Sequence, residues 1–329
     1  MKLRPFFLFL IVAAFYACDS TSGRSEGSKA VTLKEHPVSN ADSLFAFVKT
    51  QVDFGPRIPN TEAHKKTASW LKHKFESFGA KVQFQEWEDY VYDGTKVDLK
   101  NIIATINPQA KKRIMLSAHW DTRPFADHDT EDKYLQLDGA NDGASGVAVL
   151  LELARIISEN ELSIGVDFIL FDGEDWGEHK EEGPTSLRDG LESWWCLGSQ
   201  YWSKNKHIPN YTAYYGILLD MVGAKDARFP YEKVSKQFAA RILDKVWSTA
   251  HELGYQDSFV KVDGPEITDD HVFVNSIANI PMIDIIDLRT DGTNIFTPVW
   301  HTQYDNLENI DKTTLEMVAN VLLAVLWNE

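Results

Sequence analysis

Acidic and histidine side chains follow directly after several apolar segments of this sequence. They are His119 and Asp121 after residues 113–118, Asp172, Glu174 and Asp175 after residues 165–171, Asp220 after residues 214–219, and Asp142 and His301 in loops that precede helical segments. Each one alone could cap a helix or occupy a solvated turn. In a parallel sheet, however, the carboxyl ends of the strands form one edge, and ligands bind in the crevice beyond it. We therefore expect these side chains to converge on one site.

A divalent cation would stabilise such a cluster. Carboxylates in a poorly hydrated crevice repel one another, and a cation removes that repulsion. Carboxylate oxygen and imidazole nitrogen, without thiolate, suit Zn²⁺ with three protein ligands and one open coordination position. Asp142, Asp175 and His301 supply that set, and Glu174 stands beside them as a base that does not bind the metal. The pattern indicates a catalytic zinc site rather than a structural one.

Other chemistries lack their signatures in this chain. The sequence contains no Gly-x-Ser-x-Gly nucleophile elbow and no glycine-rich phosphate loop with lysine. The glycines within residues 139–146 have the wrong spacing for a dinucleotide site. The 329 residues include 33 Lys and Arg against 49 Asp and Glu, which gives a formal net charge of −16. A surface this acidic repels a phosphate backbone, so no nucleic-acid partner is expected.

Apolar segments alternate with amphipathic ones along the chain. Helical spacing predicts helices over residues 40–51, 60–78, 143–157, 195–206, 235–253 and 313–327, and strand patterns fall at residues 82–87, 99–106, 113–118, 165–171, 214–219 and 281–286. Apolar strands separated by amphipathic helices imply a mostly parallel sheet covered on both faces. We therefore predict a single globular α/β domain over residues 35–329, with a mostly parallel central sheet flanked by helices on both faces.

The amino-terminal segment is typical of an exported lipoprotein. Residues 1–17 combine Lys2 and Arg4 with an apolar stretch, and Cys18 follows a small residue. We expect a signal peptide over residues 1–17, lipidation at Cys18 and a flexible tether over residues 19–34, with cleavage without lipidation as the alternative. The catalytic domain would then be a cell-envelope protein that faces the periplasm or the exterior and meets the membrane only through its lipid anchor.

Cys196 is the other cysteine of the chain, and it lies in the apolar run Trp194–Leu197. With Cys18 used as an anchor, no intramolecular disulfide is available, so stability must come from the core. We expect Cys196 to be a buried, unreactive thiol rather than a nucleophile.

Five short motifs occur in the order found in one enzyme family. They are His119-Trp-Asp121, Asp138-Gly-Ala-Asn-Asp142-Gly-Ala-Ser-Gly, Phe171-Asp-Gly-Glu174-Asp175, Leu219-Asp220-Met-Val-Gly and Trp300-His301-Thr. From residue 40 onward the chain resembles the zinc-dependent α/β exopeptidases, and within that fold it is most similar to the animal-type (type II) glutaminyl cyclases. The features that favour a cyclase are residues 268–271, the tryptophan before His301 and residues 218–224.

The resemblance implies a zinc-dependent glutaminyl-peptide cyclotransferase, which is an aminoacyltransferase. Its substrates would be peptides or proteins with an amino-terminal glutamine, which it would convert to pyroglutamate with release of ammonia. One Zn²⁺ per chain would be held by Asp142, Asp175 and His301. The enzyme is expected to be a monomer.

The resemblance also implies roles for the residues around the metal. Glu174 would be the general base and acid, and Asp220, hydrogen-bonded to Asp269, would complete the proton network. The substrate pocket would be lined by the aromatic side chains of Trp300, Phe296 and one further tryptophan. The candidates for that tryptophan are Trp176, Trp194 and Trp195, and we expect Trp194.

Two other functions are open to a chain with these motifs. In a dizinc aminopeptidase of the same fold, His119 and Asp220 would hold a second metal and Asp142 would bridge the two ions. One zinc ion per chain would favour the cyclase, and two would favour the peptidase. A non-catalytic peptide-binding ectodomain is disfavoured because Glu174 and all the zinc positions are present.

The sequence departs from the animal enzymes in several respects. Asp175 replaces their usual glutamate ligand, so the metal must lie closer to the backbone there. Asp284 stands where they have a histidine behind the site, and Ala118 and Val147 replace the disulfide that some of them carry. The long charged insert over residues 177–193 is the reason that the pocket tryptophan is hard to align.

Overall fold

The apolar segments of the chain form a central six-stranded sheet. The computed structural model describes residues 33–289 and 294–329. The strands are β1 (Lys81–Tyr90), β2 (Lys96–Ile106), β3 (Arg113–His119), β4 (Gly165–Phe171), β5 (Gly216–Asp220), β6 (Phe229–Tyr231), β7 (Phe259–Asp263) and β8 (Met282–Ile286). The six-stranded sheet has the order β1-β2-β4-β3-β5-β8, and β6 and β7 form a separate pair.

The sheet is mixed, with its parallel part in the region of the candidate site. β1 pairs with β2, and β2 with β4, in antiparallel fashion, whereas β4, β3, β5 and β8 are parallel neighbours. Every residue of β4, β5 and β8 is buried. Strands covered on both faces need apolar side chains on both sides, which is why these segments are nearly continuous apolar runs.

Helices cover both faces of the sheet. They are α1 (Ala41–Asp53), α2 (Glu62–Ser77), α3 (Ala144–Glu159), α4 (Leu197–Lys204), α5 (Lys233–Glu252), α6 (Asp270–Phe273) and α7 (Lys312–Trp327), with a π turn at Val274–Ala278 and a 3₁₀ turn at Leu307–Asn309. Neighbouring strand residues such as Phe168 and Ile169 belong to different apolar clusters, because side chains alternate between the faces of a strand. The larger cluster packs α1, α2, α3, α5 and α7 against one face, and the smaller one packs α4 and the π turn against the other. The predicted fold class is confirmed.

The helices and strands predicted from the sequence all occur, with ends shifted by a few residues. Side chains at Asn40, Thr61, Glu232 and Asp311 accept backbone amides in the first turns of α1, α2, α5 and α7, which fixes where these helices begin. The sequence did not predict β6, β7, α6 or the π turn. These elements span only three to five residues each, too few to display a period of 2 or 3.6.

The predicted signal peptide, the Cys18 anchor and residues 19–32 of the tether lie outside the described residues. In residues 33–289 and 294–329, no helix is long and apolar enough to cross a membrane. Cys196 is buried and forms no disulfide in this part of the chain.

Candidate metal centre and active site

The carboxyl ends of β3, β4 and β5 bring the candidate side chains to one edge of the sheet. His119 ends β3, Asp172 follows β4 and Asp220 ends β5. At this edge lies a cavity of about 60 Å³. Its polar wall contains Asp142, Glu174, Asp175, Asp220, Asp269 and His301, and its apolar wall contains Trp195, Phe296 and Trp300. The structure thus gathers in one place most of the residues that the sequence singled out.

Asp142, Asp175 and His301 form a compact set of nitrogen and oxygen donors. One donor atom from each lies within 4.8 Å of the others. Nε2 of His301 is 3.0 Å from Oδ1 of Asp175 and 3.6 Å from Oδ2 of Asp142. Both carboxylate oxygens of Asp175 are buried without a hydrogen-bond partner among the described residues. Buried carboxylate oxygens that lack donors, beside an imidazole nitrogen, are the arrangement that a divalent cation such as Zn²⁺ would satisfy.

The backbone around Asp142 and Asp175 is held by two other carboxylates. Asp305 accepts the backbone N–H of Asp142 at 3.0 Å. Asp121 accepts the N–H of Glu174 and of Asp175, each at 3.2 Å. Gly143 follows Asp142 with φ +87, and a Cβ there would lie 2.9 Å from the carbonyl oxygen of Asp121, so this tight turn requires glycine.

His301 is supported by an ion pair that sequence reasoning missed. Its Nδ1 lies 3.6 Å from Oδ1 of Asp127. Arg123 donates to both oxygens of Asp127, at 2.8 and 2.7 Å, and all three side chains are buried. Although burial opposes ionisation, Arg123 and His301 hold the pKa of the Asp127 carboxyl below its usual range. A carboxylate behind the distal nitrogen orients a metal-binding imidazole.

A second donor set lies beside the first and shares Asp142. Nε2 of His119 is 2.9 Å from Oδ1 of Asp142 and 3.4 Å from Oδ1 of Asp220. Burial, together with the nearby charges of Asp142 and Asp269, raises the pKa of Asp220 to about 8 despite its contact with His119. His119, Asp142 and Asp220 therefore lie close enough together to hold the second metal ion of the dizinc alternative.

Glu174 lines the cavity but stays outside the Asp142–Asp175–His301 set. Its side chain is 12% exposed, and its Oε2 is 4.0 Å from Nδ1 of His119. Burial, followed by the charges of Asp175 and Asp269, raises the pKa of Glu174 well above its usual value, although His119 opposes the shift. A buried carboxyl with a raised pKa at a cavity wall can both accept a proton and return it.

Asp269 lies beside Asp284, with one side-chain oxygen of each within 4.8 Å of the other. In the described residues no hydrogen bond joins Asp220 to Asp269, and Oδ1 of Asp220 and Oδ2 of Asp269 are buried without a donor. Burial and the charges of Asp269 and Asp220 raise the pKa of Asp284 well above its usual value. A raised pKa favours the neutral form of Asp284, which adds no negative charge beside Asp269.

The aromatic wall contains Trp195, not the expected Trp194. The Trp195 ring lies parallel to His301 at a centroid distance of 6.0 Å, with the Arg123 guanidinium 4.6 Å away. A Cβ at Gly177 would collide with this ring, so the glycine makes room for it. Trp194 is buried and does not line the cavity.

Trp300 and Phe296 complete the aromatic wall, as expected. Trp300 stacks on His301 with ring centroids 3.7 Å apart, and Phe296 packs on Trp300 at 4.3 Å. These rings shield the His301 side of the cavity from water.

Known proteins match both the sequence and the fold. The profile of Peptidase family M28 matches residues 101–326. A glutaminyl-peptide cyclotransferase of Boiga dendrophila is 25% identical over 300 residues, which cover 81% of this chain and 75% of that relative. The structure of Bacteroides thetaiotaomicron glutaminyl cyclase bound to N-acetylhistamine is 46% identical, with a TM-score of 0.85, and the match covers 90% of this chain and 100% of that one. A zinc-dependent exopeptidase of Parabacteroides distasonis is 48% identical, with the same TM-score of 0.85 and the same coverage of 90% and 100%.

These matches identify the family to which the chain belongs. The two solved structures come from bacteria and are 48% and 46% identical to this chain, whereas the Boiga dendrophila relative is 25% identical. The expected animal-type assignment is therefore not confirmed. The M28 match spans well over half of the chain and includes Asp142, Glu174, Asp175, Asp220 and His301. This protein therefore belongs to Peptidase family M28.

Proposed function

We propose that this protein is a zinc-dependent glutaminyl cyclase, which converts the amino-terminal glutamine of peptides to pyroglutamate and releases ammonia. The observation that carries the proposal is the Glu174 carboxylate beside the Asp142–Asp175–His301 set in one small cavity with aromatic walls. The similarity to a Bacteroides thetaiotaomicron glutaminyl cyclase and to a Boiga dendrophila glutaminyl-peptide cyclotransferase supports this activity.

Asp142, Asp175 and His301 are assigned as the ligands of one Zn²⁺. The unpartnered oxygens of Asp175 and the mixed carboxylate and imidazole donors support this assignment. When bound, the zinc ion would act as a Lewis acid on the γ-carboxamide oxygen of the substrate glutamine.

Replacing Asp127 by asparagine is expected to weaken zinc binding about 10–100-fold, the usual cost of losing an outer partner of a metal-binding histidine. The carboxylate that faces Nδ1 of His301 would become a neutral amide, and Arg123 would lose the closer of its two charge partners. Zinc affinity measured by competition with a chelator checks this.

Asp129→Asn is the matched control for this experiment. Oδ1 of Asp129 accepts the backbone amides of Thr130 and Glu131, which an asparagine oxygen can still accept, and only the amide of Gln303, bonded to Oδ2, would lose its acceptor. Equal zinc affinity in the Asp127 and Asp129 variants would contradict a supporting role for Asp127.

Glu174 is assigned as the residue that carries the proton. Cyclisation forms a bond from the α-nitrogen to the γ-carboxamide carbon and breaks the bond from that carbon to the amide nitrogen. The attacking amine must lose a proton, and the leaving nitrogen must gain one before ammonia departs. Glu174 takes the first proton and returns it to the leaving nitrogen. Because both reacting groups belong to one residue, holding it in the right orientation supplies much of the rate.

Asp220 and Asp269 are assigned to binding the α-amine of the substrate. Each keeps a buried oxygen without a donor among the described residues, and both residues line the cavity. The raised pKa of Asp284, which lies beside Asp269, favours its neutral form and so limits the negative charge that accumulates there. The rings of Trp300, Phe296 and Trp195 would exclude water that could hydrolyse the amide to glutamate.

A dizinc aminopeptidase is the second candidate, and two observations favour it. His119, Asp142 and Asp220 offer a second set of donors within 4.8 Å of one another. A zinc-dependent exopeptidase of Parabacteroides distasonis is 48% identical to this chain.

The peptides Gln-Ala and Leu-Ala distinguish the two activities. The cyclase is expected to release one ammonia for each pyroglutamyl-alanine formed and to leave Leu-Ala intact. The peptidase would release free leucine from Leu-Ala and free glutamine from Gln-Ala. Metal analysis of the same preparation provides an independent readout, because the cyclase is expected to hold one zinc ion per chain. Free leucine together with two zinc ions per chain would overturn the cyclase proposal.

A further inference from the structure

The buried thiol of Cys196 contacts the Glu174 carboxylate directly. Sγ of Cys196 lies 3.2 Å from Oε1 of Glu174 and donates a hydrogen bond to it. Within residues 33–289 and 294–329, no other side chain donates a hydrogen bond to this carboxylate, and the nearest imidazole nitrogen, Nδ1 of His119, is 4.0 Å from Oε2. The two oxygens of Glu174 therefore differ in their surroundings, because Oε1 accepts this hydrogen bond and Oε2 does not.

The backbone holds Cys196 firmly against Glu174. Its N–H donates to the carbonyl oxygen of Glu174 at 2.9 Å, and the N–H of Leu197 donates to that of Gly173 at 3.0 Å. Cys196 has a left-handed backbone with φ +59, a conformation that costs energy for a residue with a side chain and persists only when its surroundings fix it. The two backbone bonds join the start of α4 to the loop after β4 and so place the thiol against the carboxylate.

The thiol acts only as a donor in this position. Burial, together with the negative charges of Glu174, Asp270 and Asp269, raises the pKa of Cys196 well above its usual value. It therefore stays protonated and is a poor nucleophile. The expectation of a buried, unreactive thiol agrees with this environment, but no sequence pattern connects Cys196 with Glu174.

We propose that Cys196 is a positioning residue for the cyclisation, which holds Oε1 of Glu174 by a hydrogen bond and thereby leaves Oε2 to exchange a proton with the substrate. This inference rests on the proposed function, because it requires Glu174 to act on a bound glutamine. It adds to that function a residue outside the Asp142–Asp175–His301 set and outside the cavity wall, whose Sγ lies within 4.8 Å of carboxylate oxygens of both Glu174 and Asp269.

The variants Cys196→Ala and Cys196→Ser test the hydrogen bond. Alanine removes the donor and is expected to lower kcat on Gln-Ala about 10-fold, the scale of one hydrogen bond from a weak donor to a charged acceptor. KM and zinc content should stay close to native, because neither the metal set nor the amine-binding residues change. Serine keeps a donor at the same position and is expected to restore most of the lost kcat.

A double-variant comparison separates positioning from a general packing effect. If Cys196 acts through Glu174, adding Cys196→Ala to a Glu174→Gln variant should not lower kcat further. In that variant residue 174 no longer transfers a proton, so the hydrogen bond that positions it has no effect on the rate. Ser203→Ala is the matched control, because Ser203 is a buried residue of α4 whose hydroxyl has no partner among the described residues. Its kcat is expected to stay native.

The outcomes distinguish this inference from the proposed function. A native chain that releases no ammonia from Gln-Ala would overturn the function and the inference together. A native chain that is active, with Cys196→Ala equally active, would overturn the inference alone. Equal losses in the alanine and serine variants, or an undiminished loss in the Glu174→Gln background, would also overturn it.

Discussion

A Glu174→Gln variant is expected to bind zinc normally and yet to turn over Gln-Ala about 10²–10⁴-fold more slowly than the native chain, the usual range for losing a general acid–base residue. Glutamine has nearly the same shape as glutamate, and its amide oxygen can still accept the hydrogen bond from Cys196. It cannot take a proton from the attacking amine or return one to the leaving nitrogen. The loss should therefore fall on kcat.

The pH profile gives a second readout of the same variant. Burial raises the pKa of Glu174, so the ionised form that accepts a proton is lost as the pH falls through that raised pKa. Native kcat should decline on that side, and the residual activity of Glu174→Gln should not show this decline.

Glu178→Gln serves as the matched control for Glu174→Gln. Glu178 belongs to the same loop but does not line the cavity. A Glu174→Gln variant with full zinc content and near-native kcat would contradict the assignment of Glu174.

The convergence of the polar residues could be predicted because it follows from sheet geometry. His119, Glu174 and Asp220 are far apart in the sequence, but each lies at or just beyond the carboxyl end of a strand in the parallel part of the sheet. Any chain that alternates apolar strands with amphipathic helices brings those ends to one edge. The three strands gave clear patterns because all their residues are buried or nearly so.

The supporting contacts could not be predicted because they depend on loops without a period. Asp127 and His301 are far apart in the sequence, and no local sequence pattern indicates that they face each other. The choice between Trp194 and Trp195 depends on the left-handed turn at Cys196 and on the space that Gly177 leaves. Such contacts follow from the packing of whole loops against one another.

Changing His301, Asp142 or Asp175 to alanine is expected to abolish activity and to remove zinc from the isolated protein. Each substitution takes away one of only three proposed protein ligands. The loss of zinc affinity should exceed the roughly 10–100-fold expected for an outer partner such as Asp127. Zinc content after gel filtration and ammonia release from Gln-Ala measure the two effects.

His119→Ala provides the comparison that determines how many metal ions the site holds. His119 contacts Asp142 at 2.9 Å and Asp220 at 3.4 Å but is not one of the three proposed ligands. With one zinc ion per chain, His119→Ala should keep that ion, although losing an imidazole that contacts two carboxylates lowers kcat. With two ions per chain, the same variant would lose a ligand of the second, and its zinc content would fall as it does in His301→Ala. Because Asp142 belongs to both donor sets, Asp142→Ala would remove metal in either case, and only the contrast between His301 and His119 decides between them.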